Sequence, residues 1–190
     1  AAWQACGRHR ILPSSLLGQR CYGGLDLSFV NDLSAFWLAF PSWSHHEKFA
    51  KVKNPIVRLI GLVWVVEEDI ESREEQEEVA YRALSSVPYC GQFTYVRVCH
   101  GSTINYHQMS TDIIEFTKRF RVQAIGYDPF ASQFVVEPYL QPAGLKCVVH
   151  RQGALSMGPP TKRFDELVKR GCLAHGNHPV LDSAVDGAVL

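Results

Sequence analysis

Hydrophobic residues alternate with polar or small residues in several short runs of the chain, which is the pattern of half-buried strands. Two such runs, residues 21–28 and 33–40, meet at SFVND, where Asn31 and Asp32 are typical turn residues, so a hairpin is expected. PIVRLIGLVWVV (residues 55–66) and QFTYVRVCH (residues 92–100) predict two further strands.

Further along the chain, helical patterns alternate with strands. Apolar residues recur on one side of a helix expected over about 106–120. Strand 122–128, a helix over about 130–142 and strand 145–149 follow. Pro159 and Pro160 predict the start of a last helix, 159–170, and Gly171 predicts its end.

This order of elements predicts an α/β fold in which a mixed central β-sheet carries helices on both faces. A chain of 190 residues suits a single domain, 1–190. Asp26 lies within the first apolar run, and Asp128 ends the run VQAIGYD. Since open α/β sheets place their sites at the carboxyl ends of strands, these carboxylates converge if the two strands are neighbours.

Charge is distributed unevenly along the chain, which the overall composition does not show. The chain is 46% hydrophobic and 20% charged, with a net charge of zero, which is typical of a globular domain. Residues 67–78 (EEDIESREEQEE) hold eight of the 19 acids and one of the 19 bases, which leaves 18 bases and 11 acids elsewhere. This predicts a basic body and one acidic, solvated helix that ends before Pro88 and would repel a polyanion; the alternative is ordinary charge scatter with an exposed acidic helix.

Two classes of protein are disfavoured by the sequence. No apolar run of about 18 residues occurs, so neither a membrane span nor a membrane partner is expected. The six cysteines are scattered without a C-x-x-C pair, which favours reduced thiols over a disulfide framework or a zinc ribbon.

A pair of converging carboxylates favours a divalent cation, because magnesium and similar hard ions prefer carboxylate oxygen. Two such ions about 3.5–4 Å apart can activate water for phosphodiester cleavage. The alternative is structural: Asp26 as a strand-edge residue and Asp128 as the cap of the helix after Pro129.

Four segments resemble, in order and spacing, the nuclease domain of the large terminase subunit of tailed bacteriophages. They are CYGGLDLSFVNDLSAF, SVPYCGQF followed by HGSTINYHQM, VQAIGYDPFAS, and RQGALSMGPPTKRFDELVKRGCLAHGNHPVL. The second segment has GSTINY where the family usually has a Thr-Pro-Gly lead-in. The resemblance covers nearly the whole chain.

The resemblance implies an RNase H-like fold and a Mg²⁺- or Mn²⁺-dependent endonuclease that cuts concatemeric double-stranded viral DNA during packaging, using two ions and leaving a 3′ hydroxyl. Asp26 and Asp128 match the family's first two metal-binding acids, whereas Asp32 is expected to serve the turn. The implied partners are DNA, the ATPase domain, the small terminase subunit and the portal, in the cytoplasm of the infected bacterium.

The third acid of the family lies on a final helix. AVDGAVL imitates its motif, which makes Asp186 a catalytic and metal-binding candidate, with Asp182 four residues earlier on the same helical face. An acid beyond Leu190, on a C-terminal helix outside this sequence, is favoured over Asp186, because DGAVL matches the stretch directly after Asn-Pro-Val-Leu in relatives. Because the chain also lacks an initiator methionine and a G-x-x-x-x-G-K-[ST] loop, we expect a piece of a longer protein without its ATPase half or a nucleotide site.

Basic residues near the last helix are candidates for DNA phosphate contacts, which give affinity without sequence information. These are Arg151, Lys162 and Arg163, with Lys118, Arg119 and Arg121 as further candidates; the alternative is a solvated surface. For His175 and His178 a loop role is favoured over metal binding, and for His45 and His46 a surface role.

Two other functions stay open at this point. The chain could be another RNase H-like enzyme, such as a transposase or a resolvase, although the four ordered segments count against it. It could also be a DNA-docking or motor-assembly module whose metal site is catalytically incomplete.

Overall fold

The computed structural model describes residues 2–28, 33–42 and 57–187, apart from the side chains of residues 131–133. The turn expected at Asn31 and Asp32, the surface role expected for His45 and His46, and the first two residues of the strand predicted at 55–66 lie outside the described residues.

A mixed seven-stranded sheet forms the centre of the described chain. The strands are β1 (Arg20–Asp26), β2 (Ser34–Pro41), β3 (Val57–Val66), β4 (Pro88–Cys90), β5 (Phe93–Thr94), β6 (Val96–Cys99), β7 (Arg121–Tyr127), β8 (Cys147–Val149) and β9 (Leu173–Ala174). The order in the sheet is β6–β3–β2–β1–β7–β8, with β9 beside the start of β3, while β4 and β5 form a separate pair.

Both directions of strand pairing occur in this sheet. β1, β2 and β3 are antiparallel neighbours, whereas β7 is parallel to β1, β8 to β7 and β6 to β3. The mixed sheet predicted from the sequence is therefore confirmed, and β1 lies in its middle.

Helices cover both faces of the sheet. They are α1 (Ala2–Gly7), α2 (Ile70–Glu77), α3 (Tyr81–Leu84), α4 (Tyr106–Thr117), α5 (Ser132–Val135), α6 (Ala154–Lys169) and α7 (Pro179–Asp186), with short 3₁₀ turns at Pro13–Leu16, Glu67–Asp69 and Pro129–Ala131 and a π-turn at Val136–Leu140. No helix within the described ranges combines the length and the apolar character needed to cross a membrane.

Strand periodicity divides the core between these faces, because successive side chains of a strand point to opposite sides. Leu62 and Trp64 of β3 pack in one cluster with Met109 and Phe116 of α4; we call this side the α4 face. Val63 and Val65 of the same strand pack with residues of α2, α3 and α7 on the other side, the α7 face.

The last predicted helix begins earlier than expected. It starts at Ala154, so Pro159 and Pro160 lie inside it, and the prediction of a start at 159 is wrong. The prolines leave the carbonyl groups of Leu155 and Ser156 without intrahelical partners. Leu155 lies in the exposed first turn, where water can reach the backbone.

Two other predicted elements are interrupted. The strand predicted at 92–100 divides at Tyr95, because β5 pairs with β4 whereas β6 pairs with β3. The acidic helix ends at Glu77, since Glu78 adopts a left-handed conformation with φ 55°, and the short α3 follows. All six cysteines are free thiols.

Candidate active site

Asp26 and Asp128 lie at the ends of two neighbouring parallel strands. Leu25 of β1 pairs with Tyr127 of β7, and each aspartate is the next residue along its strand. Neighbouring strands are about 4.8 Å apart, so both side chains leave the backbone at the same edge of the sheet. Asp26 is exposed and Asp128 is half-buried.

Asp128 also caps the turn that follows it. The backbone N–H of Phe130 donates a hydrogen bond of 3.1 Å to Oδ1 of Asp128, which is the capping role that the sequence left open. A carboxylate has two oxygens and several lone pairs, so this bond fixes its orientation without exhausting its capacity to bind a cation.

Both aspartates line one cavity of about 430 Å³. Its walls come from β1, β2, β7, the segment after β8 and α6, and they are Gly23, Gly24, Leu25, Asp26, Ala35, Trp37, Gly126, Tyr127, Asp128, His150, Gln152 and Met157. Carboxylate oxygens beside a water-accessible cavity suit a hard divalent cation, so the donor chemistry of the pair fits the expected metal.

A second cavity of about 480 Å³ borders Asp26 on its other side and holds a residue that the sequence analysis missed. Arg73 of α2 lines it, is only 8% exposed, and forms an ion pair with Glu77 at 2.5 Å. The signal was present in the sequence: Arg73 is the one base in an acidic segment, four residues before a glutamate.

The structure does not bring Asp186 into the cavity that Asp26 shares with Asp128. Asp186 is exposed at the end of α7 and lines a neighbouring cavity with Glu77 and Glu78. Oδ1 of Asp182 instead accepts a hydrogen bond of 2.8 Å from Nε1 of Trp3. Among the described residues, no group of three or more His, Cys, Asp or Glu side chains is placed to hold a metal ion.

The three predicted DNA-contacting bases lie on exposed surface near the first cavity. Arg151 stands between the cavity-lining residues His150 and Gln152. Lys162 and Arg163 lie on α6, the helix that contributes Met157, and Arg163 forms an ion pair of 3.0 Å with Glu166. Their contact with DNA stays a prediction.

Both histidines of the AHGNHPVL segment are buried in the core. His175 stacks on Trp3 with 3.8 Å between the ring centroids, and its Nε2 lies 3.0 Å from the Trp3 carbonyl oxygen. Burial among aromatic rings lowers the pKa of His178 to about 4. A loop role is favoured for both residues from the sequence, and the structure shows in addition that both side chains pack in the core.

Comparison with known proteins agrees with the motifs. The family model described as "Terminase large subunit, endonuclease domain" matches residues 3–190. The chain is 24% identical over 191 residues to the "Terminase, large subunit" of Enterobacteria phage HK97, covering 100% of this chain and 34% of that protein.

The crystal structure of the HK97 bacteriophage large terminase superposes with a TM-score of 0.73 at 24% identity, over 95% of this chain and 34% of that one. This likeness confirms the predicted RNase H-like fold. The chain spans about a third of the length of these relatives. From the match over nearly all its residues, the chain belongs to the family of terminase large-subunit endonuclease domains.

Proposed function

We propose that this domain cuts double-stranded viral DNA during genome packaging, with Asp26 and Asp128 as the ligands of magnesium or manganese. The observation that carries the proposal is the placement of both carboxylates one residue beyond paired positions of adjacent parallel strands, in one cavity. The function as a nuclease is supported by the family to which the chain belongs.

Asp26 and Asp128 would concentrate negative charge at the edge of the sheet and hold the cations there. When bound, divalent ions supply a nucleophilic water at neutral pH and stabilise the charge on the leaving oxygen of the phosphodiester. The hydrogen bond from Phe130 keeps the Asp128 carboxylate in one orientation. Positioning of this kind lowers the barrier because the ligands need not reorganise.

Asp186 is the candidate third acid within this sequence. It lies at the end of α7, and its cavity shares Glu77, Ser183 and Gly187 with the cavity that borders Asp26. Asp186 is thus next to the cavity of Asp26 and Asp128 but not in it. Cleavage by an Asp186 variant measures whether it contributes.

The wider setting is proposed from the family resemblance. In a complete terminase the domain would act with an ATPase domain, the small subunit and the portal, in the cytoplasm of the infected bacterium. Arg151, Lys162 and Arg163 would hold DNA phosphates beside the cavity. Such contacts carry no sequence information, which suits cleavage of many sequences.

The experiment is cleavage of supercoiled plasmid with Mn²⁺, Mg²⁺ or a chelator. Asp26→Asn and Asp128→Asn are each expected to abolish metal-dependent cutting, and Asp186→Asn to reduce it. The matched control is Asp165→Asn on α6, a half-buried acid that is paired with Lys169 and lies outside the cavity. Cutting that survives in both Asp26→Asn and Asp128→Asn overturns the proposal.

A DNA-docking module that does not cut is the second candidate. The observation that favours it is the absence of a third acid beside the pair among the described residues. Metal-independent binding of plasmid with no cutting by the unsubstituted chain would select this alternative.

A further inference from the structure

The α7 face of β1 is exposed along its whole length, although β1 is a central strand. Burial alternates along the strand, so that Arg20, Tyr22, Gly24 and Asp26 are exposed while Cys21 and Leu25 are buried. Tyr22 is 47% exposed. A central strand normally has both faces covered in a sheet flanked by helices, so this face has room for a ligand.

A bulge in β7 extends the exposed face to a second strand. Arg20 pairs with Arg121, but the register then shifts between Cys21 and Gly23, so that β7 holds one extra residue before Ile125. Paired residues of neighbouring strands share a face, so Arg121 lies with Arg20 on the α7 face. A bulge re-aims side chains in this way.

The middle of this face has no side chains. Gly24 pairs with Gly126, and both lie two residues before the aspartates on the same side of the sheet. A Cβ added at Gly24 would meet nothing within 4 Å, whereas one at Gly23 would lie 3.0 Å from Cγ1 of Ile125. Packing therefore requires glycine at 23 but not at 24.

A glycine that packing does not require costs stability in a strand and often marks close approach of another backbone.

The exposed residues of the two strands form what we call the β1–β7 strip: Arg20, Tyr22, Gly24 and Asp26 of β1, with Arg121, Gly126 and Asp128. Six residues of a strand span about 20 Å, so the arginine pair lies about 20 Å from the carboxylates.

The arginine pair requires an explanation of its own. Like charges at paired positions of neighbouring strands are destabilising. Neither Arg20 nor Arg121 has an acidic partner within ion-pair distance in the part of the chain that the structure describes. An anion at this end of the strip would relieve their repulsion.

We propose that the β1–β7 strip binds the sugar–phosphate backbone of DNA flanking the cut, with Arg20 and Arg121 on phosphates and the Gly24–Gly126 floor allowing the backbone to lie against the sheet. The inference rests on the proposed function for the position of the cut. The 20 Å length of the strip corresponds to about six base pairs along the helix axis.

The first test measures binding of a short fluorescein-labelled duplex by anisotropy over a salt series, in chelator. The double variant Arg20→Ala/Arg121→Ala should bind more weakly and lower the slope of log affinity against log salt by about 2. Arg82→Ala/Lys169→Ala removes the same charge at exposed positions off the strip and should leave the slope nearly unchanged.

The second test fills the open space above Gly24, in the Gly24–Gly126 floor of the strip. Gly24→Val should reduce plasmid cutting about 100-fold, because a displacement of roughly 1 Å at a reacting centre has that effect. Its melting temperature should not fall, since valine favours strands and the space is open. Ala124→Val, on the same strand as Gly126 but outside the cavity lining, is the control and should cut normally.

Either of two results would contradict DNA binding by the β1–β7 strip. One is an unchanged affinity and salt slope in the arginine double variant, and the other is normal cutting by Gly24→Val. Either result leaves the proposed function standing if cutting still depends on Asp26 and Asp128. Conversely, cutting that is independent of both aspartates would end the proposed function, while a reduced salt slope would still support the strip.

Discussion

Asp26 and Asp128 follow directly after Leu25 and Tyr127, which pair across adjacent parallel strands, and the two aspartates line one cavity. A hard divalent cation that lay at these strand ends could be bound by oxygens of both carboxylates. The Phe130 hydrogen bond satisfies part of the Asp128 carboxylate only. The arrangement is therefore compatible with the proposed cation site.

Gly61 should be far less tolerant of alanine than Gly24. A Cβ at Gly61 would lie 2.6 Å from the backbone oxygen of Phe36 and would meet the ring of Trp37, whereas one at Gly24 meets open space. Overpacking typically costs about 1–3 kcal/mol, so Gly61→Ala should lower the free energy of unfolding by about 2–3 kcal/mol. Urea unfolding of both variants measures the contrast; equal losses would contradict the described packing.

Asp112 holds a buried polar cluster together on the α4 face. Its Oδ2 accepts hydrogen bonds of 3.0 Å from Nε1 of Trp64 and Nε of Arg97, and Oδ1 accepts one of 3.0 Å from Nη2 of Arg97. Asp112→Ala would leave the buried Trp64 N–H without its acceptor and the partly exposed Arg97 without its partner, so it should destabilise the domain by about 2–3 kcal/mol.

The control for Asp112 is Asp165→Ala, which breaks an exposed ion pair with Lys169 and should cost less than about 1 kcal/mol. Both values come from urea unfolding at neutral pH. A loss for Asp112→Ala no larger than that of the control would show that the cluster contributes little.

His178 should make the free energy of unfolding depend on pH. Burial lowers its pKa from 6.5 to about 4, so the folded protein binds fewer protons than the unfolded chain between these values. The free energy of unfolding should therefore fall as the pH drops from 6.5 to 4, with a share from His178 of up to about 3 kcal/mol.

In His178→Phe this share should disappear, because phenylalanine can pack between Trp37 and Tyr95 without a titrating group. The measurement is the difference in unfolding free energy between the variant and the unsubstituted chain, at pH 7 and at pH 4.5. A difference that does not change with pH would refute the assignment, since the remaining titratable groups are the same in both proteins.

Neutralising the exposed acids of α2, together with Glu78, the residue after it, should tighten DNA binding. Glu77 is excluded from the set because it pairs with Arg73 and accepts a hydrogen bond from the Tyr81 hydroxyl. Glu71, Glu75 and Glu78 are exposed. Their triple substitution by glutamine should raise affinity for duplex DNA at low salt, with a smaller gain at high salt because of screening. Unchanged or weaker binding at low salt would be evidence against repulsion by this helix.

Much of the fold was predictable, because its strands alternate cleanly or carry long apolar runs. The boundary of α6 was not, since prolines that usually open a helix are tolerated here in its second turn. β9 has only two residues, Leu173 and Ala174, and pairs with the distant Val57 and Arg58, so no local pattern could reveal it.

The sequence predicted that the Asp26 and Asp128 carboxylates would converge if their strands were neighbours. Asp26 lies within the first apolar run and Asp128 ends the run VQAIGYD, and the sheet places those runs side by side. The side-chain-free floor was not predictable, because Gly23 and Gly24 are equivalent in the sequence and differ only in which face they occupy. The position of Arg121 depends on a bulge that leaves no signature in residues 122–125.

The most direct measurement is calorimetric titration of Mn²⁺ into the unsubstituted chain, Asp26→Asn, Asp128→Asn and the double variant, with Asp165→Asn as the control. If both carboxylates hold the same ions, each single substitution should abolish most of the binding, the double variant should lose little more, and the control should bind normally. No manganese binding by the unsubstituted chain, or binding that persists in the double variant, would contradict the account.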